Sequence, residues 1–280
     1  MTLCIANKVG STIILAADSR ITHGGLSSDH AIKVMPLSIR ISSPTDSVTG
    51  ESDLQYNSSF GFAFAGSFSA QNAIKDFLTI VFQQLQHVPI LGPLTFEAIC
   101  EFVMGIYKHI AERLYYEMED GHVIDFFLCG TCPNANIVKL AKYSINWGPS
   151  IDKCDPKYDI FNDNSDFPIA IGAGEDSFRQ EYDKLTQLPV RRRTLKALQT
   201  VINDSKVPSV GGNIQYGKSC LGEPFSIRGI TMPEFLKDSD RIKGHHFCYG
   251  GIDVYDDKLF PSGSLSVSGT FLDLTLLYDD

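Results

Sequence analysis

The stretch of sequence that decides the fold is residues 2–20, TLCIANKVGSTIILAADSR. It contains two apolar runs, Leu3 to Lys8 and Thr12 to Ala17, and their length and composition predict two strands. The three residues between these runs, Val9-Gly10-Ser11, form a short connection of the hairpin type. The sequence therefore predicts an antiparallel strand pair that begins immediately after residue 2.

Thr2 stands at the free end of this predicted hairpin. If Met1 is removed, Thr2 becomes the N-terminus and carries a hydroxyl and a free α-amine on the same residue. This combination is a nucleophile with its own base, which is one of the recognised ways to activate a weak hydroxyl. Because a Met-Thr start is common, the interpretation depends on the residues that surround Thr2 in the fold.

The composition is that of a folded chain with an excess of acidic residues. A length of 280 residues suits one large domain or two small ones, and 43% hydrophobic with 20% charged residues argues against disorder. The formal net charge of -9 argues against nucleic acid, because phosphate binding needs a basic face. No apolar run approaches the roughly 20 residues of a membrane span, and no secretory signal pattern opens the sequence. The seven irregularly spaced cysteines indicate reduced thiols, so we expect a cytoplasmic protein without a membrane partner.

Blocks of strand alternate with pairs of helices along the rest of the chain. Residues 42–59 are polar and predict a surface insertion, and Phe60 to Phe64 predicts a buried strand followed by Ala65-Gly66-Ser67. The other predicted strands are Ala31–Met35, Val123–Cys129, Ile137–Ile145, Phe167–Ile171, Phe247–Val254 and Leu265–Tyr278. The predicted helices are Ser69–Gln86, Thr95–Glu117 with Thr95 as N-cap, Asp176–Leu188 and Arg191–Asn203. This order predicts an α+β sandwich with helices packed outside the sheets.

Three charged residues follow the first hairpin in apolar surroundings. Asp18 ends the second predicted strand, Arg20 follows it, and Lys33 lies between Ile32 and Val34. A carboxylate and an amine in such runs need a charge partner or a mechanistic role. A lysine held near a hydroxyl and a carboxylate can lower the pKa of the hydroxyl and relay its proton. The alternative is that Asp18 caps a turn and Lys33 forms a solvated surface ion pair.

The segments Met-Thr-Leu-Cys-Ile-Ala, Ala-Ala-Asp-Ser-Arg-Ile-Thr and Phe-Ala-Gly-Ser, together with Lys33, resemble a proteasome β-type subunit. Such subunits are N-terminal nucleophile (Ntn) hydrolases with a four-layer αββα sandwich. The resemblance implies that Thr2 is the nucleophile, with Asp18 and Lys33 beside it and Arg20 in support. It also implies that the backbone N–H of Gly66 contributes to an oxyanion hole.

The details of the resemblance favour the bacterial ancestral β-subunit (Anbu) branch. The opening Met-Thr-x-Cys and the interval from Asp18 to Lys33 agree with that branch. Asp204 and Ser209 resemble the acidic helix end and the serine-glycine loop that lie next to the nucleophile, so the resemblance implies supporting roles for both. Residues 42–59 are an insertion relative to the family. We treat 1–280 as one Ntn-hydrolase domain in which 213–280 is a divergent C-terminal extension.

Two other motifs are weak signals for redox or metal chemistry. No helix pattern follows Cys129-Gly-Thr-Cys132, as a thioredoxin-type site requires, and no second CxxC pair accompanies it. His245 and His246 are adjacent in a predicted strand, so their side chains would point to opposite faces. We therefore expect no metal and no cofactor.

The sequence thus predicts a threonine-type hydrolase that cleaves peptide bonds after removal of Met1. Its substrates would be peptides or unfolded proteins, and the resemblance implies that it works within a homo-oligomer; no ATPase partner can be identified. One alternative is a non-catalytic, proteasome-like scaffold or interaction subunit. A second alternative is a hydrolase of small amides on the same fold.

Overall fold

Two antiparallel sheets with pairs of helices against them form the fold of this computed structural model. The structure describes residues 2–23, 25–118, 124–147, 154–161, 166–235, 242–254 and 269–274. In chain order, the strands are β1 (Leu3–Val9), β2 (Thr12–Ala17), β3 (Ile21–His23), β4 (Leu26–Ser28), β5 (Val34–Ser42), β6 (Leu54–Ala65), β7 (Leu85–Gln86), β8 (Asp125–Thr131), β9 (Val138–Trp147), β10 (Cys154–Phe161), β11 (Ile169–Gly172), β12 (Gln215–Ser219), β13 (Ser226–Phe235), β14 (Ile242–Tyr249), β15 (Ile252–Asp253) and β16 (Phe271–Asp273). The helices are α1 (Phe68–Val81), α2 (Phe96–Met118), α3 (Glu175–Lys184) and α4 (Val190–Ile202).

The first sheet is built around the predicted N-terminal hairpin. Its strand order is β11-β1-β2-β12-β13-β14-β15, with β16 added in parallel to β13. The second sheet has the order β10-β9-β8-β6-β5-β7, and β3 and β4 form a separate hairpin. Strand β1 therefore lies inside its sheet, with β2 on one side and β11 on the other.

Three apolar clusters hold these elements together, and the period of two along each strand explains them. In β1, Leu3 and Ile5 face the cluster that includes side chains of α3 and α4, whereas Cys4 faces the cluster shared by the two sheets. In β6, Phe62 faces the cluster with α1 and α2, whereas Ala63 faces the shared cluster. Both sheets thus have two buried faces at the place where they meet.

The prediction of antiparallel strands mixed with paired helices is confirmed, and all four predicted helices are present. Thr95 accepts a hydrogen bond at its Oγ1 from the N–H of Ala98 (3.1 Å), which confirms it as the N-cap of α2. Within the described ranges, no helix has the length and apolar character needed to cross a membrane.

Parts of the predicted element map are wrong. The predicted insertion at 42–59 is a loop only from 43 to 53, because β6 begins at Leu54 and pairs with β5 as an extended hairpin. The helix predicted over Ser69–Gln86 ends at Val81. Leu85 and Gln86, the last two residues of the predicted helix, instead form β7 beside β5. Strands β10, β12 and β13 were not predicted. Val123, 265–268 and 275–278, which belong to predicted strands, lie outside the described residues.

Candidate active site

Thr2 directly precedes β1, and only 4% of its surface is exposed. Its carbonyl oxygen accepts a hydrogen bond from the N–H of Ala173 (3.0 Å), just beyond the end of β11. Gly172 has a φ of +100°, and a Cβ at this position would lie 1.9 Å from the Thr2 carbonyl oxygen. Only glycine allows the two backbones to approach so closely. The strand pair therefore fixes the main chain of Thr2.

Asp18 directly follows β2 and is completely buried, and its carboxylate is hydrogen-bonded to the first residue of β1. Its Oδ1 accepts hydrogen bonds from the N–H of Leu3 (3.0 Å) and from Lys33 Nζ (2.8 Å). Its Oδ2 accepts hydrogen bonds from the N–H groups of Arg20 (3.1 Å) and Gly211 (3.0 Å). Four donors thus compensate for the loss of hydration of the carboxylate.

Lys33 is 1% exposed, so the alternative of a solvated surface ion pair is wrong. Besides Asp18, its Nζ donates to the carbonyl oxygen of Arg20. An ammonium has three N–H donors, and two of them have partners among the described residues. Burial lowers the pKa of Lys33 from its ordinary value, while the charge and hydrogen bond of Asp18 act in the opposite direction. Because Lys33 and Leu3 share one carboxylate oxygen, the ammonium lies next to the backbone that follows Thr2.

Arg20 forms a two-pronged ion pair with Asp29, a residue that the sequence analysis missed. Arg20 Nε and Nη2 donate to the two carboxylate oxygens of Asp29 at 2.7 and 3.0 Å. The hydrogen bond from Arg20 lowers the pKa of Asp29, and the same contact raises the pKa of Arg20. The sequence contains one signal for this contact, because the Gly-Gly dipeptide at 24–25 is typical of a hairpin turn. In the structure, β3 and β4 pair Ile21 with Ser28, so the residues that flank the hairpin, Arg20 and Asp29, meet.

Arg20 also reaches the loop that follows α4. Its Nη1 donates to the carbonyl oxygen of Pro208 (3.3 Å), and a Cβ on Gly211 would lie 2.3 Å from the guanidinium carbon. The guanidinium therefore rests directly against the backbone of Gly211, which donates to Asp18. Gly211 is a second residue that the sequence analysis did not select.

Gly66 follows Ala65, the last residue of β6. The position that a Cβ on Gly172 would take is 1.9 Å from the Thr2 carbonyl oxygen and 3.0 Å from the Cβ of Ala65. Ala65 precedes Gly66, which has a φ of +126°. Ser67 then caps α1 by accepting a hydrogen bond at its side chain from the N–H of Ala70 (3.4 Å). The last residue of β6 therefore lies near the Thr2 carbonyl, and the role of Gly66 in an oxyanion hole stays a prediction.

Asp204 and Ser209 belong to the loop that Arg20 contacts after α4. Asp204 Oδ1 accepts a hydrogen bond from the N–H of Lys206 (2.9 Å) in the turn after α4. Ser209 is half-buried between Pro208 and Val210. In the described part of the chain, no hydrogen bond joins either side chain to Thr2, Asp18 or Lys33. Their supporting roles stay predictions.

Burial disfavours the thiolate form of Cys4 and Cys129. Cys4 is fully buried, and its Sγ lies 2.8 Å from the carbonyl oxygen of Phe64. Burial raises the pKa of Cys4, and the charge of Lys33 only partly opposes this effect. Cys129 and Cys132 are also free and buried, and burial raises the pKa of Cys129. A protonated thiol is a poor nucleophile, so neither Cys4 nor Cys129 competes with Thr2 for that role.

The cysteine and histidine motifs at 129–132 and 245–246 belong to no group of metal ligands among the described residues. Across the ranges that the structure describes, no three His, Cys, Asp or Glu side chains are grouped so that they could hold a metal ion. His246 Nδ1 lies 2.7 Å from an oxygen of Asp253 on the neighbouring strand β15. Met1 lies outside the described residues, and so do residues 119–123.

Comparison with solved structures shows a weak likeness of fold. No protein-family model and no curated protein matches the sequence. Among solved structures, the chain is similar to eukaryotic HslV from Trypanosoma brucei, with 11% sequence identity and a TM-score of 0.45. The similarity covers 78% of this chain and 99% of that chain. A TM-score of this size carries no inference about activity or assembly.

Proposed function

We propose that this chain is a threonine-type Ntn hydrolase of the proteasome β-type, with a four-layer αββα sandwich, and that it cleaves peptide bonds once Met1 has been removed. The observation that carries the proposal is the buried pair of Lys33 and Asp18, joined at 2.8 Å and attached to the N–H of Leu3. Burying two charges is costly unless the geometry is very good. Because the pair is attached to the residue that follows Thr2, its proposed use is to activate the hydroxyl of Thr2.

In the proposed reaction, Thr2 Oγ attacks the peptide carbonyl carbon. The α-amine of Thr2, directly or through water, accepts the hydroxyl proton and passes it to the leaving amine as the C–N bond breaks. The ammonium of Lys33 favours the ionised hydroxyl, and Asp18 keeps that ammonium in place. The N–H of Gly66 stabilises the oxyanion, a contribution of about 3–4 kcal/mol for one such donor. Water then hydrolyses the ester on Thr2.

The remaining residues support this reaction from outside. Arg20 and Asp29 hold the segment that contains Lys33 against the loop after α4. Asp204 and Ser209 belong to that loop and would adjust the charge and hydration of the α-amine. A cytoplasmic location, membership of the Anbu branch and assembly into a homo-oligomer are further parts of the proposal.

One observation favours the non-catalytic alternative, a scaffold or interaction subunit with the same fold. The side chain of Asp204 is used in a local turn with Lys206 rather than in the network around Asp18. A site that keeps the pair of Lys33 and Asp18 but lacks the supporting contact of Asp204 would preserve the fold without turnover. Hydrolysis of small amides instead of peptides remains a variant of the catalytic proposal.

The deciding experiment compares the wild type with Thr2→Ala, Thr2→Ser and the control Thr79→Ala. Thr79 is an exposed helix residue whose hydroxyl donates to Lys75, so its loss removes a threonine without touching the site. Intact mass first establishes whether Met1 is absent. We expect hydrolysis of fluorogenic peptides and labelling by a β-lactone in the wild type and in Thr79→Ala, reduced rates in Thr2→Ser and none in Thr2→Ala. Equal turnover by Thr2→Ala would refute the proposal.

A further inference from the structure

Gln215 lies at the start of β12, in the part of the chain that matched no family pattern, and it is 1% exposed. Its backbone pairs with Ala17, the residue before Asp18. Gly217, two residues further along β12 and on the same face, lies against Phe225 of the cluster between the sheets. The side chain of Gln215 therefore points into the space between the two sheets, beside the candidate site.

The amide of Gln215 contacts the segment 31–34, which carries Lys33. Its Oε1 accepts hydrogen bonds from the N–H of Lys33 (2.8 Å) and the N–H of Val34 (3.1 Å). Its Nε2 donates to the carbonyl oxygen of Ala31. The two ends of the amide are thus matched to two donors and one acceptor, so the opposite orientation of the amide would place N–H against N–H.

These three contacts satisfy backbone groups that have little access to water. Ala31 is 7% exposed, and Lys33 and Val34 are each 1% exposed. Residues 31–33 precede β5, so the sheet ladder does not provide partners for them. An unpaired buried backbone group is costly, and a single side chain here pairs three. The turn between β14 and β15 covers the amide, because a Cβ on Gly251 would lie 3.2 Å from Gln215 Nε2.

We infer that Gln215 is a positioning residue for Lys33: its amide fixes the backbone of segment 31–34, so that the ammonium reaches Asp18. This inference rests on the proposed function for its catalytic consequence. We call the three hydrogen bonds between the Gln215 amide and residues 31–34 the clamp. The clamp is a property of the fold and can be measured without activity. It also gives the divergent C-terminal part of the chain a direct connection to the candidate site.

Two substitutions test the clamp. Gln215→Met keeps the approximate length of the side chain but removes all three hydrogen bonds. Gln215→Glu cannot donate to Ala31 when ionised, whereas its protonated form can accept from Lys33 and Val34 and donate to Ala31, as glutamine does. Ser219→Ala is the matched control, because Ser219 lies on the same strand, is fully buried and has a hydroxyl with no hydrogen-bond partner in the described part of the chain.

The first readout is hydrogen exchange of the amides of Lys33 and Val34, with thermal unfolding recorded alongside. In Gln215→Met we expect these amides to exchange about tenfold faster or more, because their acceptor is gone. Ser219→Ala should exchange as the wild type does. Unchanged exchange at both amides in folded Gln215→Met would overturn the inference. If Gln215→Met does not fold, Gln215→Glu decides instead: its ionised carboxylate faces the carbonyl oxygen of Ala31, so its Tm relative to the wild type should rise as pH falls, and a pH-independent Tm difference would overturn the inference.

The second readout is peptide hydrolysis as a function of pH. A displaced lysine should lower kcat of Gln215→Met roughly 10- to 100-fold and leave KM nearly unchanged. The ratio of Gln215→Glu to wild-type activity should rise as pH falls, because protonation restores the glutamine-like pattern, whereas the ratio for Gln215→Met should stay flat. A flat ratio for both variants, or a kcat equal to that of the wild type, counts against the clamp. If the wild type itself shows no hydrolysis, the proposed function fails and the exchange data alone decide the clamp.

Discussion

Replacement of Lys33 by methionine tests how strongly the buried pair holds the fold together. Methionine has a similar length and fills the same space, but it leaves the fully buried carboxylate of Asp18 without its ammonium. Removal of one partner of a buried ion pair typically lowers the free energy of unfolding by about 3–5 kcal/mol. We expect the lower end for Lys33→Met, because Asp18 keeps three backbone N–H donors from Leu3, Arg20 and Gly211.

Urea unfolding of five proteins measures this quantity: the wild type, Lys33→Met, Asp18→Asn, the double variant of these two, and a control. The control is Lys184→Met, which removes an exposed pair with Glu181 and should change the free energy of unfolding by less than about 1 kcal/mol. The double variant Lys33→Met with Asp18→Asn removes both charges and should lose less stability than the two single variants together. If Lys33→Met unfolds within about 0.5 kcal/mol of the wild type, the pair is not energetically coupled to the fold.

Three further predictions concern neighbouring residues. Gly172→Ala should lower Tm and slow labelling of Thr2, because its φ of +100° alone costs about 1–3 kcal/mol in other residues and its Cβ would meet the Thr2 carbonyl; normal labelling would contradict this. The pKa of Asp29 is lowered in the fold, so its stabilisation is present above the ordinary aspartate pKa and is lost as pH falls; the Tm difference between wild type and Asp29→Asn should therefore shrink from about pH 5 to about pH 2. Mass-spectrometric mapping should find Cys220, which is partly exposed, alkylated at least about tenfold faster than buried Cys4.

The parts of the fold that the sequence predicts well are those set by local patterns. The β1–β2 hairpin follows from two apolar runs and a short turn, and the four helices follow from apolar spacing. Strand β12 was missed because five residues that include Gly217 and Lys218 resemble a loop. It becomes a strand only because β2 and β13 flank it, and no window of sequence contains that information.

The candidate site shows the same division. A carboxylate and an amine within apolar runs need either a charge partner or a mechanistic role, and the structure shows that Asp18 and Lys33 pair with each other. Gly211 belongs to the serine-glycine loop that the resemblance placed next to the nucleophile, but its hydrogen bond to Asp18 and the contacts of Gln215 could not be predicted, because both residues lie nearly two hundred positions away in sequence. Asp204 was selected by resemblance alone, and its side chain is used in a local turn.

The contact between Asp18 and the N–H of Gly211 also bears on the order in which the chain is made. A ribosome synthesises Thr2, Asp18 and Lys33 within about the first eighth of the polypeptide. The last N–H donor to the carboxylate and the amide that holds the lysine backbone emerge only with residues 211–215. A nascent or truncated chain that stops earlier contains every residue of the proposed chemistry without the geometry that aligns them. Such a chain would be inert, so any hydrolytic activity would arise only when most of the protein has been translated.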